Sequence, residues 1–197
     1  MLRLKRIAKI IANHATASVL AIVVLYLSLV TTSQPVMDYE RPDIERAINV
    51  LAAKGFEREV FLLRNTTTFR RSDHWLNGLI FAERAYAATN FPFQIITVYG
   101  DFYTKASDDT ERAMILLHEA RHLMGEGEPE AYAYVWQNRT RLGWTLLSHG
   151  TTPVFITIEE QTRENAPELF SCADRLWNDC TEQTKQTGAA GVPPAKL

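Results

Sequence analysis

The stretch Ile115-Leu116-Leu117-His118-Glu119-Ala120-Arg121-His122-Leu123-Met124-Gly125-Glu126-Gly127-Glu128-Pro129-Glu130-Ala131-Tyr132-Ala133-Tyr134 decides how this chain is read. Just upstream, Asp108 is followed three residues later by Glu111, the spacing of a capping box. The apolar residues Met114 to Leu117 then carry a predicted helix from about Asp109 to Met124, and Gly125 ends it. A second helix is predicted from near Pro129 to Leu142, before Gly143. On the first helix, His118 and His122 are four residues apart and share one face. Both imidazoles can therefore reach a single ion.

The pattern His-Glu-x-x-His is short but chemically specific. Two imidazoles and a carboxylate suit zinc. Glu119, one position from His118, can bind a water held at the metal without displacing it and act as general base. A catalytic zinc needs a third protein ligand and an open position. Glu126, Glu128 and Glu130 all follow closely. Glu126 lies beyond the glycine that ends the helix, whereas Glu130 stands where the chain re-enters a helix, so Glu130 is the expected ligand and Glu128 the next choice. Charge–dipole stabilisation at a helix N-terminus would by itself account for such a cluster. A developing oxyanion also needs a donor. Tyr103, Tyr132, Tyr134 and His149 are candidates, and Tyr134 is preferred because it sits four residues after Glu130 on the same helix face. Arg121 is expected to form a salt bridge or to orient a ligand, with no partner named by the sequence.

Outward from this stretch, Gln94 to Tyr103 (QIITVYGDFY) is rich in β-formers and reads as a strand. Pro42 opens a helix whose Ile44, Ala47, Ile48 and Leu51 fall at helical spacing, and Gly55 closes it. Glu59 to Leu63 reads as a short strand and Asn65 to Asp73 as a loop. Asn77-Gly78 suits a hairpin turn, while Phe81 to Ala88 also suits a helix. A third helix is expected within Ile158 to Trp177, interrupted at Pro167. Trp136, Leu142 and Trp144 should pack the second helix against the core. The sum is an α+β domain, mostly helical, with a small β-sheet beside the metal helix.

These residues resemble the zincin metallopeptidases, specifically the gluzincin type, in which a glutamate on a later helix is the third ligand. The resemblance covers about 50 residues, Gln94 to Leu142. It implies metal at His118, His122 and Glu130, Glu119 as the base, and a zinc-dependent cleavage of peptide bonds in a peptide or protein substrate. It also implies that an upstream strand, here Gln94 to Tyr103, forms the edge of the cleft, to which an extended peptide could add. The chain departs from the best-known members in the short spacing between His122 and Glu130.

The N-terminus sets the compartment. Arg3, Lys5, Arg6 and Lys9 precede any acidic residue, and the run to Val30 is otherwise uncharged, densest at Val19 to Val30. A basic start followed by such a run is a transmembrane anchor or an export signal, and an uncleaved anchor is favoured. The positive-inside rule leaves the following domain outside the cytoplasm, periplasmic or extracellular, or secreted if the segment is cut. Cys172 and Cys180 are then expected to form a disulfide. A formal net charge of -2, with no basic cluster beyond the N-terminus, argues against nucleic-acid binding. Residues 1–33 are therefore read as anchor or signal, with Ser33 to Arg41 as a linker. Residues 34–180 are read as the zincin-like domain and 181–197 as a disordered tail. The alternative is an anchored zinc-binding or interaction protein without turnover.

Overall fold

The computed structural model describes residues 2–75 and 85–183. The chain is mostly helical, with a small three-stranded sheet and one apolar N-terminal helix. That helix, α1 (Leu2–Thr32), is followed by α2 (Arg41–Ala53) and α3 (Glu57–Asn65). The strands β1 (Thr68–Arg70), β2 (Ala87–Asn90) and β3 (Ile95–Val98) come next. After them run α4 (Gly100–Thr104), α5 (Asp109–His122), α6 (Glu128–Leu142), α7 (Leu146–His149) and α8 (Pro153–Asn165).

The core is organised around α5. Its Ala113, Met114, Leu116, Leu117 and Ala120 are completely buried. Its buried residues run without a break from Ala113 to Ala120, so every side of this part of the helix is covered. Here α2, α3, α6 and β2 enclose it. Its cap forms at the expected residue: the Asp108 carboxylate accepts from the amides of Thr110 and Glu111 at 2.9 and 3.0 Å. Glu111 does not close the box on Asp108; its carboxylate accepts from the Ser107 amide instead. Gly125 and Gly143, both at positive φ, end the turns after α5 and α6, where a side chain would be strained. Trp136, Leu142 and Trp144 are buried as expected, with Trp136 and Trp144 edge to face at 6.3 Å.

Several local expectations change. Glu59 to Leu63 is helical, part of α3, because its inward residues Glu59, Val60 and Leu63 form a helical stripe and Phe61 faces solvent. A short apolar run does not distinguish strand from helix by period alone. The strand predicted over Gln94 to Tyr103 is limited to β3, and the chain then turns into α4. The loop predicted at Asn65 to Asp73 contains β1. Strand order is β1-β3-β2, with β1 parallel and β2 antiparallel to β3, so β3 is central and β2 is an edge strand among the described residues. The cleft-edge role expected of Gln94 to Tyr103 thus falls to β2. The third helix begins earlier than expected, at Pro153, and Pro167 starts a separate 3₁₀ turn. Residues 33 to 41 are not a free linker: Ser33, Val36 and Glu40 are buried. The Asn77-Gly78 turn and the tail beyond 183 lie outside the described residues. Of the Phe81 to Ala88 alternative, the final residues, Ala87 and Ala88, are strand.

Cys172 and Cys180 are bridged. The loop they close carries Asp179, whose Oδ2 accepts from Arg139 at 2.8 Å and from the Trp136 indole at 2.7 Å. Arg139 is only 2% exposed, so this carboxylate compensates a buried charge.

His149 meets the other Asp108 oxygen at 3.0 Å. Burial opposes the charge of Asp108, but the amide bonds and the His149 ring outweigh it and hold its carboxyl below the usual aspartate range. A group with a depressed folded pKa contributes stability above its unfolded pKa and loses it as the pH falls through the folded value. Asp108→Ala should therefore lower the unfolding free energy by about 1 kcal/mol at neutral pH. The gap from the parent chain should close as the pH drops below about 4. Denaturant unfolding of both proteins at neutral and acid pH checks this.

Candidate metal centre

The C-terminal half of α5 turns its polar residues toward a cleft of about 1000 Å³. One wall is β2, from Ala87 to Thr89, and Ile115, Val135 and Ile158 supply apolar surface deeper in. His118 and His122 lie on the cleft side, one helical turn apart, with their Nε2 atoms 2.9 Å from each other. Glu128 Oε2 is 3.2 Å from His118 Nε2 and 3.5 Å from His122 Nε2. These three atoms form a group that could hold a metal ion. Tetrahedral zinc with ligands at about 2.0–2.1 Å needs its ligand atoms roughly 3.3 Å apart. The observed separations bracket that value, so the donor set fits a zinc ion in size as well as in chemistry.

The carboxylate that joins the two imidazoles is Glu128 and not Glu130. The reason is helix register. Gly127 is the N-cap of α6, so Glu128 is its first helical residue and Pro129 follows within the first turn, where its missing N–H costs nothing. Glu128, Tyr132 and Val135 then fall at i, i+4 and i+7 on the face toward α5, and all three line the cleft. Glu130 and Tyr134 do share a face, but it is a different one. Glu130 is exposed. Tyr134 donates its hydroxyl to Glu59 at 3.0 Å and lies beneath the Arg121 guanidinium, away from the histidines. Tyr132 is the tyrosine at the centre, its ring 4.3 Å from the His118 ring. Burial, with the charges of Glu128 and Glu119, pushes its hydroxyl pKa up, so it stays protonated at neutral pH. Tyr103 and His149, the other donor candidates, do not line the cleft.

Glu119 is 4% exposed. Its Oε2 is 2.7 Å from the Thr89 hydroxyl, which also lies 3.1 Å from the Glu119 carbonyl and donates to one or the other. Thr89 belongs to β2, so the edge strand and the acid beside the histidines are tied together. No local motif marks Thr89, because its role comes from the docking of β2 on α5.

Arg121, the second variable position of the motif, has an identifiable task. Its Nε donates to Glu126 Oε2 at 2.7 Å and its Nη2 to the other Glu126 oxygen, a bidentate pair, while Nη1 donates to Glu59 at 3.0 Å. The Glu126 carbonyl lies 2.9 Å from His122 Nδ1. A carbonyl only accepts, so Nδ1 carries a proton and Nε2 is the atom left to face an ion. Gly125, at φ +84°, makes the turn that brings Glu126 back to this position, a backbone conformation that a side chain would strain.

Burial works against a charge on His122, but the hydrogen bonds to Glu128 and to the Glu126 carbonyl, with the charge of Glu119, outweigh it and raise its pKa to about 9. The same bonds from His118 and His122 hold the Glu128 carboxyl well below its usual range. A metal must displace the Nε2 proton, so the affinity for a divalent metal should rise with pH and level off above about 9. Arg121→Ala releases Glu126 and should weaken zinc binding roughly 10–100-fold. Competition with a chelator measures both effects, and circular dichroism checks that the fold is retained. Glu128→Ala should weaken binding sharply, whereas Glu130→Ala should leave it unchanged.

Compared with family models, curated proteins and solved structures, the chain matches none.

Proposed function

We propose that this chain is a zinc-dependent metallopeptidase of the zincin kind, anchored in a membrane by α1, with its domain on the non-cytoplasmic side. The observation that carries this reading is the convergence of His118 Nε2, His122 Nε2 and Glu128 Oε2 in an open cleft, beside a buried carboxylate held for another task. Metal binding alone does not require Glu119. When bound, zinc supplies Lewis acidity and lowers the pKa of water to about 7.

The chain's own residues do the rest. Thr89 occupies Glu119 Oε2, leaving Oε1 to take the proton of the attacking water and pass it to the leaving amine. Tyr132, kept protonated, donates to the developing oxyanion. An extended peptide adds along the edge of β2 that no described strand covers, which sets its scissile bond along the row of polar residues on α5. Ile115, Val135 and Ile158 give the inner cleft an apolar lining for a substrate side chain. The lysine- and arginine-rich start of the chain and the bridged Cys172–Cys180 pair support the non-cytoplasmic placement.

A peptide library incubated with the zinc-loaded protein tests the reading. Glu119→Gln should retain zinc and lower turnover by roughly 10²–10⁴-fold, the usual worth of a general base. Hydrolysis that persists unchanged in Glu119→Gln sinks the mechanism. His118→Ala and His122→Ala should lose both metal and activity. Zinc bound stoichiometrically without turnover on any peptide would favour a non-catalytic zinc module.

A further inference from the structure

The N-terminal helix is long and apolar enough to cross a membrane over Lys9–Thr32, as a removable signal would also be. Its two ends differ. Residues 9 to 25 are exposed, as a lipid-facing surface would be. From Tyr26 onward the helix touches the domain along one side, while Leu27, Thr31 and Thr32 stay exposed. Leu29 is fully buried and Ser33 is 5% exposed. The Tyr26 hydroxyl is 2.9 Å from Thr68 Oγ1 on β1. Arg70, also on β1, donates to the Val30 carbonyl at 2.7 Å, to Ser33 Oγ at 2.8 Å and to the Ser33 carbonyl. A helix end leaves its last carbonyls without partners, and a cation there satisfies them and complements the dipole. The contact continues in the backbone: Arg71 N donates to Gln34 O at 2.9 Å, and Pro35 bridges to Arg70. Trp75 donates its indole N–H to Ser28 at 3.2 Å while remaining 46% exposed.

We infer that α1 is retained in the mature protein as a structural part of the domain, and that the joint between α1 and β1 seats the domain directly on the lipid surface with Trp75 at the interface. A chain cut after Ser33 would lose Leu29 from the core and leave Arg70 without its carbonyls. Trp75 lies at the level of the last turns of the apolar run, where indoles collect at membrane interfaces. Strands sit about 4.8 Å apart, so β2, the cleft wall, stands only about 10 Å across the sheet from the strand that grips the helix. The cleft is therefore held close to the membrane. The seating rests on the membrane placement proposed for α1 and not on the peptidase chemistry.

Intact mass measurement of the full chain recovered from membranes should find residues 1–33 present; a product starting after Ser33 overturns the inference. Hydrogen exchange of the full chain in nanodiscs should show the Arg71 amide protected. Arg70→Ala should speed exchange at residues 30–36 and 68–72 about tenfold, as loss of charge-assisted hydrogen bonds implies. α5 should be unaffected, and Arg70→Lys should restore part of the protection. Exchange unchanged by Arg70→Ala overturns the joint. Brominated lipids should quench tryptophan fluorescence in the parent chain and much less in Trp75→Phe; equal quenching overturns the interfacial placement. Zinc content, measured in parallel, reads the metal centre separately.

Discussion

The constraint on which the rest of this structure depends is the burial of α5. An enclosed helix would be simplest if wholly apolar, yet α5 carries Glu111, His118 and Glu119, all nearly out of reach of solvent. Buried polar groups are costly unless each finds a partner. Much of the surrounding architecture supplies those partners. Glu111 receives the Ser107 amide, the Trp144 indole and the Thr152 hydroxyl. Glu119 receives Thr89, and the two histidines meet each other and Glu128. Three separate elements are thereby fixed against one helix by its polar side chains as well as by its apolar ones.

The same logic links α1 to the cleft. Arg70 satisfies the open carbonyls at the end of α1, and its strand is joined through β3 to β2, whose Thr89 holds Glu119. Orientation at the candidate metal centre is handled by a second chain of contacts, running from Glu59 through Arg121 and Glu126 to the His122 ring. Tyr134 belongs to this chain, stacked against Arg121 and bonded to Glu59, so it contributes to the site by fixing a positioning group rather than by facing the cleft.

Much of the local structure could be read from the residues alone. The histidine pair on one helix face, the cap at Asp108, the terminating glycines 125 and 143, the disulfide and the apolar N-terminal helix all follow from spacing and side-chain chemistry within a few residues. These features are local: a helix repeats every 3.6 residues whatever surrounds it, and a carboxylate three residues before an amide caps it in any fold.

Other features depend on how distant segments approach one another, and only the tertiary structure decided them. Glu128 rather than Glu130 meets the imidazoles because α6 starts at Gly127 and crosses α5 at one particular rotation; two residues along a helix turn a side chain by about 200°. Tyr132 and Tyr134 exchange their expected places for the same reason. The helical state of Glu59 to Leu63, the edge position of β2 and the docking of residues 33 to 41 likewise come from contacts across long sequence separations. The sequence determined which chemistry was available, because residue type and short spacing are properties of the chain itself. The fold determined which of several equivalent carboxylates and tyrosines took part, because that choice is one of distance in space.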